Sequence, residues 1–297
     1  ATIDDIFKSA TAGVINVKDY GAVGDGATDD SVAISEAIAA AQPGQAVFFP
    51  NSDGSYIVTL PIVFSKAGIT IFGNGAKISG QNDSQYQFFR LTSCSDVKIT
   101  GLWFYGSYSG SGTGIGAAAI EVFGSSDVSI TDCRFDSISQ SGVYVLGASP
   151  RLTVSGCKFT SCFCAIFSDD DTVYQPTALK IVGNSIVDGL ALPTAAYSGG
   201  IKVSGLTGHQ HYASHVIADN VIMSAGQMGV ELHTGCNNSS VTGNTIIGCG
   251  FGISIAGDHV GVSVTGNSIR GCIGYGIELA SGTRSTVAGN SISCTNA

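Results

Sequence analysis

The sequence is poor in charge, and it has no apolar run long enough to cross a bilayer. Charged residues make up 12% of the 297 residues, and the missing apolar run means that no membrane-spanning helix is expected. The 13 basic residues are outnumbered by 22 acidic ones, which gives a formal net charge of -9 and disfavours nucleic acid as a partner. The chain begins without a positively charged, apolar leader, so we expect a signal peptide to be absent or already removed.

Two other patterns are also missing. Apolar residues do not recur at the helical period of about 3.6 residues, and the nine cysteines do not have zinc-site spacing. Most of the cysteines instead occupy repeated positions, namely Cys133, Cys157, Cys162, Cys249 and Cys272. We therefore expect free thiols packed inside a core, with a disulfide framework as the alternative.

What the sequence does have is glycine, 41 residues of it, and an internal repeat. A phrase of the type Val-Ser-Val-Thr-Gly-Asn-Ser-Ile returns roughly every 23 to 27 residues, with one longer step. Its anchor position falls at Cys133, Cys157, Asn184, Asn220, Asn244, Asn267 and Asn290. A second phrase follows most copies and begins at Gly142, Gly200, Gly229, Gly252 and Gly276. Such a period defines the architecture before any single motif does.

The repeat predicts a stack of strands. Apolar and polar residues alternate within each phrase, which indicates strands with one buried face, and Gly, Asn, Asp and Ser separate them as turns. Each repeat is therefore interpreted as one coil of a parallel β-helix, an all-β fold in which like residues stack on like. The anchor asparagines are expected to form an internal ladder of amide hydrogen bonds.

One helix is predicted, over residues 29–41. Val32, Ile34, Ile38 and Ala41 have helical apolar spacing, and the acidic residues at its start suit the helix dipole. We expect this helix to cap the N-terminal end of the stack. Residues 1–45 then form a lead-in and cap, and residues 46–297 form the β-helix of one elongated domain. No matching cap follows Cys294, so we expect either a fragment of a longer protein or another chain covering that end.

The opening segment carries a resemblance. Val14-Ile-Asn-Val-Lys-Asp-Tyr-Gly-Ala-Val-Gly-Asp-Gly-Ala-Thr-Asp-Asp resembles the opening of the pectate-lyase-like superfamily of right-handed β-helices. Phage tailspike depolymerases, mannuronan epimerases, some glucanases and polygalacturonase relatives share that opening. The resemblance implies a right-handed coil that binds or cleaves carbohydrate. We interpret Asp25, Asp29 and Asp30 within it as caps of backbone groups.

The lead-in over residues 3–10 looks like those of phage tailspikes, whose receptor-binding part is a trimer of β-helices. This similarity implies a homotrimer on a virion tail or outside the cell. The catalytic motifs of the relatives are not met. Gly208-His-Gln-His follows Ile201-Lys202 in the wrong order for a polygalacturonase, and the Asp-Pro-His-Glu motif of the epimerases is absent. The resemblance therefore supplies no catalytic residues.

The stacked repeat nevertheless predicts where a site would lie. The second phrase has the form Gly-Ile-x-Leu, and its variable residue x points outward. Stacking the coils therefore gives one outward column: Arg90, Glu121, Tyr144, Phe167, Lys202, Glu231, Ser254 and Glu278. A second column, two residues on, includes Asp169 and His233. If Phe167 faced inward, Ser168 and Asp170 would face out instead of Asp169. The longest loops, 170–178, 187–199 and 205–215, flank the same coils, and long loops on a regular scaffold tend to carry function.

The candidate catalytic residues are Glu231, Asp169, Asp170, His233 and Lys202. For a glycoside hydrolase, Glu231 would be the acid and Asp169 or Asp170 its partner, at a backbone distance of about 12 Å that favours inversion. For a polysaccharide lyase or epimerase, Lys202, His233 and Tyr144 could remove a proton and neutralise a uronate.

Substrate binding is assigned to Tyr144, Phe167, Tyr174, Tyr197, Tyr212 and Glu121. These residues would also serve a glycan-binding protein without catalysis. The alternative without a function is that Lys202 with Glu231, and Arg90 with Glu121, are surface ion pairs. No cofactor is expected, except that calcium could bridge the acidic surface to a polyuronate.

Overall fold

The computed structural model describes residues 13–80, 88–106, 118–169, 176–187, 199–205 and 213–294. They form a parallel β-solenoid of about nine turns with a helix near the N-terminus. Its strands lie in two sheets, of nineteen and nine strands. The predicted all-β parallel β-helix with an N-terminal helix is confirmed.

The nineteen-stranded sheet contains β1 (Val14–Asn16), β2 (Ala46–Phe49), β3 (Tyr56–Val58), β5 (Thr70–Gly80), β7 (Lys98–Tyr105), β9 (Ser129–Thr131), β10 (Arg134–Asp136), β12 (Thr153–Ser155), β13 (Lys158–Thr160), β15 (Lys180–Val182), β16 (Ser185–Val187), β18 (Val216–Ala218), β19 (Val221–Met223), β21 (Ser240–Thr242), β22 (Thr245–Ile247), β24 (Ser263–Thr265), β25 (Ser268–Arg270), β27 (Thr286–Ala288) and β28 (Ser291–Ser293). The nine-stranded sheet contains β4 (Ile62–Phe64), β6 (Phe89–Thr92), β8 (Ala118–Phe123), β11 (Ser141–Leu146), β14 (Cys164–Ser168), β17 (Gly199–Val203), β20 (Met228–His233), β23 (Phe251–Ala256) and β26 (Ile277–Leu279). A 3₁₀ helix spans Val17–Tyr20 and helix α1 spans Ser31–Ala40.

The buried anchor asparagines form the predicted ladder. Asn220 Nδ2 donates to Asn244 Oδ1 at 2.9 Å and to the Ile181 carbonyl at 2.9 Å. Its own Oδ1 accepts the backbone N–H and the side-chain amide of Asn184, each at 3.0 Å. The ladder continues through the later anchors to Asn290. Each rung thereby satisfies buried backbone groups at the turn between two strands.

The glycine that opens the second phrase is required by lack of space. A Cβ on Gly229 would lie 2.7 Å from the Gly252 carbonyl oxygen and 2.7 Å from Ile246 Cγ2. Gly200 has equivalent neighbours, the Gly229 carbonyl oxygen at 2.5 Å and Ile222 Cγ2 at 2.9 Å. Distances this short exclude any side chain. The repeated glycine is therefore a packing requirement between coils and carries no function of its own.

Helix α1 packs on the core as predicted, with one correction to its apolar face. Ile34, Ala37 and Ile38 are fully buried and join the core of the first coils. Val32 is 62% exposed, so its predicted place on the buried face is wrong. The buried face follows Ile34, Ala37, Ile38 and Ala41, a spacing of three and four residues, and Val32 falls off that face.

The aspartates of the opening motif bind backbone groups. Asp25 Oδ1 accepts the backbone N–H of Ala27 at 2.9 Å and of Thr28 at 2.7 Å, and these bonds lower the pKa of Asp25 to about 2. The buried Asp30 accepts the N–H of Val23 at 2.6 Å and of Ile57 at 3.2 Å. These carboxylates therefore organise the first turns, as expected.

The nine cysteines are all free, and eight of them are buried. Cys133 and Cys157 lie in the main core, as do Cys162, Cys249 and Cys272. The prediction of free thiols stacked inside the coil is confirmed, and the disulfide alternative is wrong. Burial raises the pKa of the Cys162 thiol well above its ordinary value.

Candidate functional site

The outward column of the nine-stranded sheet lies where the repeat predicted it. Neighbouring strands place its residues side by side, in the order Arg90, Glu121, Tyr144, Phe167, Lys202, Glu231, Ser254 and Glu278. Tyr144 lies between Val143 and Val145, both fully buried in the lumen, so it points away from the lumen. Phe167 is level with Tyr144 and Lys202, which settles the uncertain register and keeps Asp169 in the second outward column.

The centre of the column joins aromatic and charged groups. The rings of Tyr144 and Phe167 stack with centroids 5.4 Å apart and planes 14° apart. Lys202 Nζ lies 5.9 Å from the centroid of Phe167 and 3.1 Å from Glu231 Oε2. Four neighbouring coils thus present an aromatic stack, an ammonium and a carboxylate in direct succession.

Both ends of the column carry a further carboxylate. Arg90 Nε lies 3.1 Å from Glu121 Oε1 at the N-terminal end. Ser254 Oγ donates to Glu278 Oε2 at 3.0 Å at the C-terminal end. Sequence reasoning placed Ser254 and Glu278 in the column but did not assign them to the site. Their signal was the column position itself, because a carboxylate two coils beyond Glu231 lies about 10 Å away along the sheet.

The column is buried from Glu121 to Ser254 although it lies outside the lumen. Glu121 is 4% exposed, Glu231 8% and Lys202 9%. The interpretation of Lys202 and Glu231 as a surface ion pair is therefore wrong, since each side chain is only 11% exposed. Charged groups are rarely retained at such burial unless they are paired, because their desolvation is costly.

A small apolar cluster supports the column on the same face. It consists of Ala118, Tyr144, Phe163, Cys164 and Phe167. Burial raises the pKa of the Cys164 thiol to about 12, although the nearby Lys202 charge acts in the opposite direction. Cys164 is therefore a neutral packing residue at ordinary pH and not a nucleophile.

Two further predicted catalytic residues, Asp169 and His233, lie in the second outward column. His233 follows Glu231 by two residues on β20 and is exposed, with Nδ1 3.3 Å from Thr234 Oγ1. Asp169 directly follows β14, and its backbone N–H donates to the Val145 carbonyl at 2.9 Å. Its backbone lies two coils and two residues from Glu231, about 12 Å away. Asp170, Tyr174, Tyr197 and Tyr212 lie outside the described residues.

Within the part of the chain that the structure describes, no group of three or more His, Cys, Asp or Glu side chains is placed to hold a metal ion. The calcium allowed by the sequence stays a prediction. The same residues include no helix of the length and apolar character that a membrane crossing requires.

Two family models match the sequence. The model described as "Right handed beta helix region" matches residues 118–292. The model described as "Rhamnogalacturonase A/epimerase, pectate lyase-like" matches residues 14–104. A search of the curated proteins found no match.

Solved structures share the fold at low sequence identity. The alginate lyase from a Paenibacillus species superposes with a TM-score of 0.66 at 14% identity, over 94% of this chain and 95% of that one. The Geobacillus virus E2 protein ORF18 gives a TM-score of 0.58 at 16% identity over 99% of this chain. This chain spans 62% of the length of that viral protein. The Dettilon tailspike protein gives 0.53 at 16% identity, over 99% of this chain and 71% of the tailspike.

Proposed function

This chain belongs to the family of right-handed β-helix proteins, and from that premise we propose that it binds and cleaves a polysaccharide on the outer face of its nine-stranded sheet. The observation that carries the proposal is the succession of Tyr144, Phe167, Lys202 and Glu231 on neighbouring coils, with a 5.4 Å ring stack and a 3.1 Å ion pair. Aromatic faces suit the apolar face of a sugar ring, and buried titratable clusters are enriched at functional sites.

Glycoside hydrolysis is the reaction that the carboxylates favour. An inverting hydrolase needs two carboxyl groups about 6.5–9.5 Å apart, with a water between one of them and the sugar. Glu231 and Glu278 occupy the same column two coils apart, which puts their backbones about 10 Å from each other. Glu231 and Asp169 form the longer alternative pair. A bacterial surface polysaccharide or another acidic polysaccharide is the proposed substrate, since the Dettilon tailspike protein and an alginate lyase share the fold.

Product formation tests this proposal. The protein is incubated with bacterial capsules, alginate and polygalacturonate, and new reducing ends are measured together with the ultraviolet absorbance of unsaturated sugars. Reducing ends alone are the expected result. Unsaturated sugars among the products would identify a lyase instead of a hydrolase. Lys202, His233 and Tyr144 would then act on a uronate. If no polymer gave a product, the proposed cleavage would be refuted, and glycan binding without cleavage would be the remaining function.

Variants identify the carboxyl pair. Glu231→Gln and Glu278→Gln are each expected to lower the cleavage rate by roughly 100-fold or more, because each would remove one of the two carboxyl groups. Glu36→Gln, on the exposed face of helix α1, is the matched control and should retain full activity. Circular dichroism shows whether each variant is folded. Full activity of Glu231→Gln would exclude this column as the catalytic site.

We also propose that the protein works as a homotrimer outside the cell or on a virion tail. The structural similarity to the Dettilon tailspike protein and to the ORF18 protein of Geobacillus virus E2 supports this proposal. The molar mass measured by light scattering tests the trimer, and a monomer at all concentrations would contradict it.

A further inference from the structure

The only tryptophan of the chain, Trp103, lies on a different face of the coil. It stands on β7 of the nineteen-stranded sheet between Leu102 and Phe104, which are buried in the core. Trp103 therefore points outward. Lys77 and Arg134 flank it on the neighbouring strands. The sequence pattern did not predict a site at any of these residues.

Two aromatic rings hold the Lys77 ammonium. Its Nζ lies 4.7 Å from the Trp103 centroid and 3.9 Å from the Tyr105 centroid. Arg134 lies 4.4 Å from the Trp103 ring and pairs with Asp136 at 2.6 Å. Lys77, in contrast, has no carboxylate within 4.0 Å among the described residues. Cation–π contacts orient this ammonium but do not neutralise its charge.

Lys77 and Trp103 line an open cavity of about 510 Å³. The loop between β2 and β3 also lines the cavity and contributes Asn51, Ser52, Asp53 and Ser55. The volume falls in the range of small-molecule sites, about 300–1,000 Å³. The lining offers an ammonium, an amide, hydroxyls, a carboxylate and one indole, a set of groups that suits a polyhydroxylated ligand.

The loop wall is held in place by the opening motif. Gly26 N–H donates to the Ser55 carbonyl at 2.9 Å. A Cβ on Gly54 would lie 2.6 Å from the Asp25 carbonyl oxygen, so the two segments are in closest contact. Asp25 in turn fixes its own turn through the N–H groups of Ala27 and Thr28. A wall fixed in this way loses little conformational entropy when a ligand binds.

We propose that this cavity is a second glycan-binding subsite, which takes an acidic sugar residue. The sugar carboxylate would pair with the Lys77 ammonium, and its hydroxyl groups would hydrogen-bond to Asn51, Ser52 and Asp53. The subsite is separate from the Glu231 column, because the two lie on different sheets. It requires no cleavage at that column.

The single tryptophan provides a built-in reporter. Wild-type protein is titrated with trigalacturonate, trimannuronate and neutral cellotriose, and Trp103 emission is recorded. The acidic trisaccharides are expected to give a saturable change in emission. Cellotriose is expected to bind at least about tenfold more weakly, because it lacks the carboxylate that a charge-assisted hydrogen bond needs. Added salt should weaken the acidic ligands alone.

Matched variants locate the response. Lys77→Met keeps most of the unbranched side chain but removes the ammonium, and it is expected to weaken trigalacturonate binding by roughly tenfold or more. Lys158→Met removes an exposed cation of the same column, next to Arg134, but outside the cavity, and should bind like wild type. Asn51→Ala, at an exposed position of the loop, should also weaken binding without unfolding the chain.

Three results would each overturn the subsite. They are no change in Trp103 emission at millimolar acidic trisaccharide, equal binding of cellotriose, and unaltered binding by Lys77→Met. Glu231→Gln should keep the emission response, which separates this inference from the proposed catalysis. A protein that yields no product but retains the response would refute the enzyme alone, and a protein that cleaves without the response would refute the subsite alone.

Discussion

The side chains of Lys202 and Glu231 are expected to be strongly coupled to each other in the folded protein, besides forming part of the proposed site. Nζ and Oε2 are 3.1 Å apart, and both side chains are 11% exposed. At an effective dielectric constant of about 20, two unit charges at that distance attract each other by roughly 5 kcal/mol. Desolvation of both groups offsets part of this attraction. We therefore expect a coupling free energy of about 2 kcal/mol or more between the two side chains.

A double-mutant cycle measures that coupling directly. Lys202→Met, Glu231→Gln and the double variant are unfolded in urea, and the free energies of unfolding are compared. The matched control is Arg151 with Asp127, an ion pair of 2.6 Å whose side chains are 58% and 45% exposed. Its coupling should be much smaller and should fall with added salt. A Lys202–Glu231 coupling no larger than that of the control would refute the argument from burial.

Two further predictions concern buried polar groups inside the coil. Asn220→Ala removes two donated and two accepted hydrogen bonds at a fully buried position, so urea denaturation should show a loss of about 3 kcal/mol. Asn290→Ala, at a half-buried rung, should lose clearly less, and equal losses would contradict the ladder as the cause. Burial lowers the pKa of His215 to about 3, so the unfolded chain binds one more proton than the folded chain between about pH 6.5 and pH 3. Stability should therefore decrease as the pH is lowered through that window, by on the order of 1 kcal/mol per pH unit, and a His215→Gln variant should show a shallower slope in the same urea titration.

The outward column could be predicted because the lumen fixes the register. Once the anchor asparagines are aligned, every strand of the nine-stranded sheet is placed against its neighbour. The whole order from Arg90 to Glu278 then follows from the spacing alone. Parallel strands in a solenoid stack residue on residue, so within the nine-stranded sheet one correct alignment carries from coil to coil.

The burial of the column could not be predicted in the same way. Spacing shows which way Glu121 and Lys202 point, but their 4% and 9% exposure depends on how much of the rest of the chain lies over them. The same limit applies to Val32. Helical spacing placed Val32 on the predicted buried face of the helix. The packing of Ile34 and Ile38 on the first coils determines which face is in fact buried.

The Lys77 cavity was missed for a different reason. Its walls come from the first coils, where the repeat is irregular, and they combine the loop over residues 51–55 with Lys77 and Trp103. The register of β5 with β7 shifts between Phe72 and Ala76. An alignment built on the later coils does not extend through such a shift, and so Lys77 and Trp103 were not recognised as neighbours.

Recurrence within this chain therefore marks packing, and variation marks candidate function. The glycine at position 229 recurs because a side chain does not fit the space, and the asparagine at position 220 recurs because its amide satisfies buried backbone groups. Outward positions are under no such steric constraint, so small side chains or isolated charged side chains would be expected there. Where instead an ammonium is held between aromatic rings, as Lys77 is, or lies buried against a carboxylate, as Lys202 does, packing alone gives no reason for the choice. Those two lysines, on separate faces, are the positions at which substitution should distinguish binding from catalysis.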